Sequence, residues 1–204
     1  MPSTPRSTNR ESKPPAFPEE LWTNHRFPRQ VFSNAIGWFL FFEHGRAFSE
    51  RAWRLFARLA REFGDSTVWF KSIEPDAQRY YFERFGAAAE FAFPAAGKED
   101  DYVTRMHKWP PTSVADAVAY RGDIAAWAGT TGKWFCWGER ESGLCALRVS
   151  GPERLRKELI LLPDDYVPLV ELGEALRDIA SREIAMADFD WFAQQMQRSY
   201  AVTA

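Results

Sequence analysis

The chain has 204 residues and a formal net charge of −2, a length that fits one domain, or one domain with a tail, and needs no disulfide or metal staples. Hydrophobic residues make up 46% and charged residues 26%, which excludes a wholly disordered or collagen-like chain. Nine Trp, seventeen Phe and six Tyr bring the aromatic share to 16%, more than a core usually takes: either some rings lie at the surface as interface anchors, or the core is built from large rings in place of Leu and Ile.

Residues 1–16 are rich in Pro, Ser, Thr and Arg and hold almost nothing to bury. They read as a disordered tail ahead of a single domain over 17–204. They also lack the apolar stretch of a signal peptide, and the longest apolar run, Trp38 to Phe42, is far too short to span a bilayer. The protein is therefore expected to be cytoplasmic.

Ala35 to Glu43 reads as a strand buried on both faces. The Glu43-His44 pair at its end, just before Gly45, is the best candidate for acid–base work, because strand ends leading into Gly turns often carry function. A helix follows. Ser49 caps it, Ala52, Trp53, Phe56, Leu59, Ala60 and Phe63 recur at helical spacing, and Gly64 stops it. Arg51, Arg54, Arg58 and Arg61 lie on one side of this helix, within an arc of roughly 80° at 3.6 residues per turn. Such a stripe offers a phosphate-binding face, flanked here by Glu50, Glu62 and Asp65.

Residues 66–73 read as a strand, Pro75 to Gly86 as a helix and 87–93 as another strand. Phe63-Gly64 and Phe85-Gly86 each lead into a strand, and this α–β–α–β progression favours a small mixed sheet. Residues 94–112 read as a loop bounded by Pro110-Pro111. Its run of Glu99, Asp100 and Asp101 cannot aim three carboxylates at one ion. Residues 113–120 and 123–128 read as short helical turns separated by Gly122, and 133–140 and 144–150 as a hairpin. A three-residue loop at 141–143 pairs Arg140 with Leu144 and Cys136 with Arg148. Cys136 and Cys145 are then not opposite one another and are expected as reduced thiols. The rest is helical, with Leu169, Leu172 and Leu176 on one packing face and Phe189, Phe192, Met196 and Tyr200 on another. The expected fold is α+β: a small mixed or mainly antiparallel sheet, helices on one face and a helical C-terminal part.

No glycine-rich phosphate loop, dinucleotide fingerprint, nucleophile elbow or zinc-binding helix occurs. His25, His44 and His107 lie in separate segments without metal-ligand spacing. No catalytic residue, metal or cofactor is assigned. The segment from Asp123 to Cys145 is the most unusual. Strand alternation puts Trp134, Cys136 and Gly138 on one face and Phe135, Trp137 and Glu139 on the other. If one face covers the core, the other exposes at least one Trp beside carboxylates, the make-up of a binding hot spot for a basic partner. Asp123, Trp127, Trp134, Trp137, Glu139 and Glu141 are the candidate partner-binding residues. The alternative is a sheet covered on both faces, with every ring buried.

Residues 163–204 carry 3 basic against 8 acidic residues, which suits a basic partner more than nucleic acid. Three functions are carried forward. The first is a non-enzymatic protein-binding domain, a bacterial inhibitor or immunity protein that masks a toxin or enzyme. The second is an enzyme with a dispersed site near Glu43 and His44. The third is a nucleic-acid binder using the Arg51, Arg54, Arg58 and Arg61 stripe.

Overall fold

Six strands alternate their side chains between two faces, regularly except for one register shift between Ser72 and Glu74. The computed structural model describes residues 17–23, 25–33, 36–181 and 188–200; the expected tail over 1–16 lies outside them. Strands β1 (Trp38–Glu43), β2 (Thr67–Glu74), β3 (Glu90–Pro94), β4 (Ile124–Gly129), β5 (Trp134–Glu139) and β6 (Leu144–Val149) form one sheet in the order β1-β6-β5-β4-β2-β3. Every pairing in it is antiparallel.

On one face Trp38, Leu40 and Phe42 of β1, Phe70, Trp127, Trp134 and Leu147 meet α1 (Glu50–Phe63) and α3 (Glu99–Lys108); the short helices α2 (Glu83–Phe85) and α4 (Val118–Arg121) precede and follow α3 in the chain. Helix α1 forms as its sequence dictates. The Ser49 hydroxyl accepts from the Ala52 amide at 3.4 Å, and Gly64 takes φ 71° and returns its amide to the Ala60 and Arg61 carbonyls. Phe56 stacks on Trp127 and Trp134 at 5.5 and 5.8 Å between centroids, so the helix keys into the centre of the sheet. Leu155 and Leu159 of α5 (Glu153–Ile160) join this core.

On the other face lie Phe39, Phe41, Trp69, Phe135 and Trp137. They are covered by the segment from Phe17 to Phe32 and by the helical C-terminal part, α6 (Leu172–Ser181) and α7 (Phe189–Tyr200). The Tyr200 ring packs edge-on against Phe27, Phe32, Phe39 and Phe41. Its hydroxyl donates to the Arg29 carbonyl and accepts from the Val31 amide. One residue thus clamps the N-terminal segment, α7 and the sheet together.

Three local expectations are corrected. Residues 123–128 are not helical but form the central strand β4, between β2 and β5; its small residues Ala125, Ala126 and Ala128 admit close-packed rings on both faces. The 94–112 loop contains α3, whose Tyr102 and Met106 are fully buried. Acids in its first turn and bases in its last suit the helix dipole. The hairpin turn is four residues long, so Glu139 pairs with Leu144 and Cys136 with Leu147. This one-residue shift brings Cys136 and Cys145 onto the same face as diagonal neighbours, both buried and free.

Among the described residues no helix is long and apolar enough to cross a membrane.

Candidate partner-binding site

The β5–β6 turn, Arg140 to Gly143, is held where four chain segments meet. The Gly143 amide donates to the Arg140 carbonyl at 3.0 Å and its own carbonyl accepts from the His44 amide at 2.8 Å. The Arg140 amide donates to the Asp123 carbonyl at 2.8 Å, and the Asp123 amide to the Glu74 carbonyl at 2.8 Å. Gly143 takes φ 69°, which the turn requires and few other residues adopt cheaply. The turn is thereby fixed to the ends of β1, β2 and β4.

Glu139 ends β5 and points into the second layer. It is 4% exposed, and one oxygen, Oε1, accepts from the Phe27 amide and from Trp137 Nε1, each at 2.7 Å. Burial pushes its carboxyl up to about 7, against the opposing pull of the two donors and of Arg26.

Around Glu139 the surface opens three ways. A cleft of about 610 Å³ is lined by Trp22, Ile73, Ile124 and Trp137 and by groups of both charges, Glu74, Asp76 and Asp123 with Arg26 and Arg121. A neighbouring cleft of about 270 Å³ shares Glu74 and Asp123 with it and adds Glu139 and Glu141. In it the Arg26 guanidinium bonds Glu74, and Arg140 pairs with Asp123 at 3.2 Å. Beyond Glu139 lies a smaller pocket of about 210 Å³, walled by Phe27, Pro28, Trp191 and Phe192 and edged by Glu139, Glu141 and Asp188. Trp191, in the first turn of α7, is 57% exposed.

Of the six predicted site residues, Asp123 and Glu141 are exposed and Trp137 and Glu139 reach the clefts from below. The expected exposure of the hairpin tryptophans is overturned. Trp127, Trp134 and Trp137 are 0%, 0% and 2% exposed, because separate layers cover both faces of the sheet. Their indole N–H groups are satisfied inside, on the Tyr102 hydroxyl at 3.0 Å, Asp65 at 2.9 Å and Glu139 at 2.7 Å. The exposed ring beside the hairpin acids is Trp191, which sequence reasoning missed. The signal was present: Phe189, Phe192, Met196 and Tyr200 define the packing face of α7, and Trp191 lies off it.

The other candidate groups are dispersed. His44 is 2% exposed, with its pKa lowered to about 4 by burial and by the Arg140 charge. It lines none of the clefts above. Of the arginine stripe, Arg54 bonds Glu99 with two nitrogens at 2.9 and 2.8 Å, and Arg58 lies 3.7 Å from Glu158; Arg51 and Arg61 are exposed. Among the described residues no group of three or more His, Cys, Asp or Glu is placed to hold a metal ion.

Family models, curated proteins and solved structures contain no match to this chain.

Proposed function

We propose that the chain is a non-enzymatic protein-binding domain of the inhibitor or immunity type, which masks a partner enzyme or toxin. It binds through the face built from the β5–β6 turn, the segment around Phe27 and the first turn of α7. The observation that carries this reading is Trp191, a large ring more than half exposed beside the carboxylates of Glu141 and Asp188. An aromatic anchor with charged neighbours is the usual centre of a protein interface, and an acidic edge steers a basic partner toward it. The backbone under this face is tied to β1, β2 and β4, so the surface is preorganised and loses little entropy on binding.

The enzyme reading required His44 to reach a cleft, and its burial removes that support. The nucleic-acid reading is weakened because Arg54 and Arg58 are engaged with carboxylates. A toxin gene directly upstream would support the inhibitor reading. The direct test is capture of a stoichiometric partner from the native cytoplasm, with any neighbouring toxin supplied, by the wild type and by folded Trp191→Ala and Glu141→Lys variants. Loss of the partner in both variants is expected; undiminished capture by both overturns the assigned face.

A further inference from the structure

The pocket of about 210 Å³ beside Trp191 has a charge and shape that narrow its occupant. It is smaller than the 300–1,000 Å³ or so of a drug-sized ligand site, leaving room for about one long side chain. Phe27, Pro28 and Phe192 give it apolar walls, and Phe27 and Phe192 are themselves buried parts of the core. At its edge stand three carboxyl groups, Glu139, Glu141 and Asp188, and none of its lining residues is basic. Two guanidiniums, Arg26 and Arg140, line the cleft on the other side of Glu139 and are engaged there by Glu74 and Asp123.

Apolar walls edged by carboxylates complement an aliphatic stem that carries a cation, and an exposed indole adds a face on which that cation can rest. A neutral apolar side chain would fill the pocket but leave the carboxylates without a counter-charge. An acidic one would be repelled. The Asp188 backbone is fixed at the start of α7: it takes φ 70°, a left-handed conformation that Asp tolerates better than most residues, and its carbonyl accepts from the Phe192 amide at 3.0 Å.

We propose that this pocket receives the side chain of one arginine or lysine of the partner protein, with the stem against Phe27, Pro28 and Phe192 and the cation between Trp191, Glu141 and Asp188. The proposal rests on the protein-binding reading and names the chemistry that reading leaves open.

The test is an NMR titration of the full chain, following the indole N–H of Trp191, assigned by its loss in Trp191→Ala. The probes are N-acetyl-arginine amide and N-acetyl-lysine amide, with the citrulline and norleucine amides as neutral counterparts. At low salt a cationic probe is expected to shift the Trp191 signal with a dissociation constant on the order of 1–10 mM. The neutral probes should bind about tenfold more weakly or not at all. Glu141→Gln, at an exposed position that leaves folding intact, should weaken the cationic probes severalfold. Equal response to charged and neutral probes, or cationic probes that leave Trp191 unmoved at about 50 mM, overturns the proposal. A blank titration combined with partner capture that still depends on Trp191 sinks the cation pocket alone, whereas capture indifferent to Trp191 sinks the binding face itself.

Discussion

Glu139 and His44 illustrate how single buried groups set the response of this fold to pH. The Glu139 carboxyl stays protonated up to about pH 7 in the folded chain, whereas in the unfolded chain it ionises near the ordinary carboxyl value of 4.5. The unfolded state releases the proton first, so this group's contribution is fully present below about pH 4.5 and is lost as the pH rises through about 7. The full loss is on the order of 3 kcal/mol. Glu139→Gln keeps an oxygen for the Phe27 and Trp137 donors and removes the ionisation. Thermal unfolding is expected to show the variant close to wild type near pH 5 and increasingly more stable toward pH 8; a gap that does not change with pH contradicts this. His44 has the opposite sign. It is neutral when folded, with its pKa lowered to about 4 chiefly by burial, so its contribution holds above about 6.5, the ordinary imidazole value, and is lost as the pH falls through about 4. Next to it, Gly138 has no room for a methyl group, since a Cβ there would lie 2.7 Å from Cys145 Sγ and 3.0 Å from His44 Cδ2. Gly138→Ala should cost about 1–3 kcal/mol by overpacking, measured by urea unfolding; an unchanged midpoint would show that the thiol and ring move aside freely.

At the scale of elements, the well-read pieces were those whose local signals agree. Helix α1 has a cap, a stop and a 3.6-residue apolar stripe, and all three appear in the structure. Both Phe-Gly pairs close a helix, with Gly64 and Gly86 at φ 71° and 75°. Strand β4 was misread because a strand buried on both faces shows no polar alternation, and its alanines favour a helix when considered alone. Helix α3 was missed because its acids and the following Pro110-Pro111 pair outweighed the single Tyr102–Met106 step at i,i+4. The hairpin register slipped by one residue because a loop of three and a loop of four are equally compatible with Arg140 to Gly143 in sequence. The Thr130-Thr131 turn between β4 and β5 depends on one side chain. Asp65 accepts from the Thr130 hydroxyl at 2.9 Å, the Thr131 amide at 2.6 Å and Trp134 Nε1 at 2.9 Å. Asp65→Ala leaves the buried indole N–H without its acceptor and is expected to destabilise the protein by about 3 kcal/mol. Chemical unfolding measures this, and a cost below about 0.5 kcal/mol would show that the turn is held by other contacts.

For the whole molecule, the surplus of aromatic residues has a structural answer. The sheet is covered on both faces, so it needs two sets of rings, and the tryptophans expected at the surface are among the most buried side chains. The position of the candidate face was partly legible. Asp123, Glu139 and Glu141 come together at one end of the sheet as the hairpin suggested. The aromatic anchor comes instead from α7, 50 residues after Glu141 in sequence, and no local pattern could bring Trp191 to that turn. The claim that this convergence is a protein-binding face is tested most directly by binding of the captured partner to wild type and Trp191→Ala at matched stability. The account predicts at least about a tenfold loss of affinity for a central aromatic anchor, with the melting temperature unchanged. Equal affinity of the two proteins for the partner would contradict it and move the interface elsewhere on the molecule.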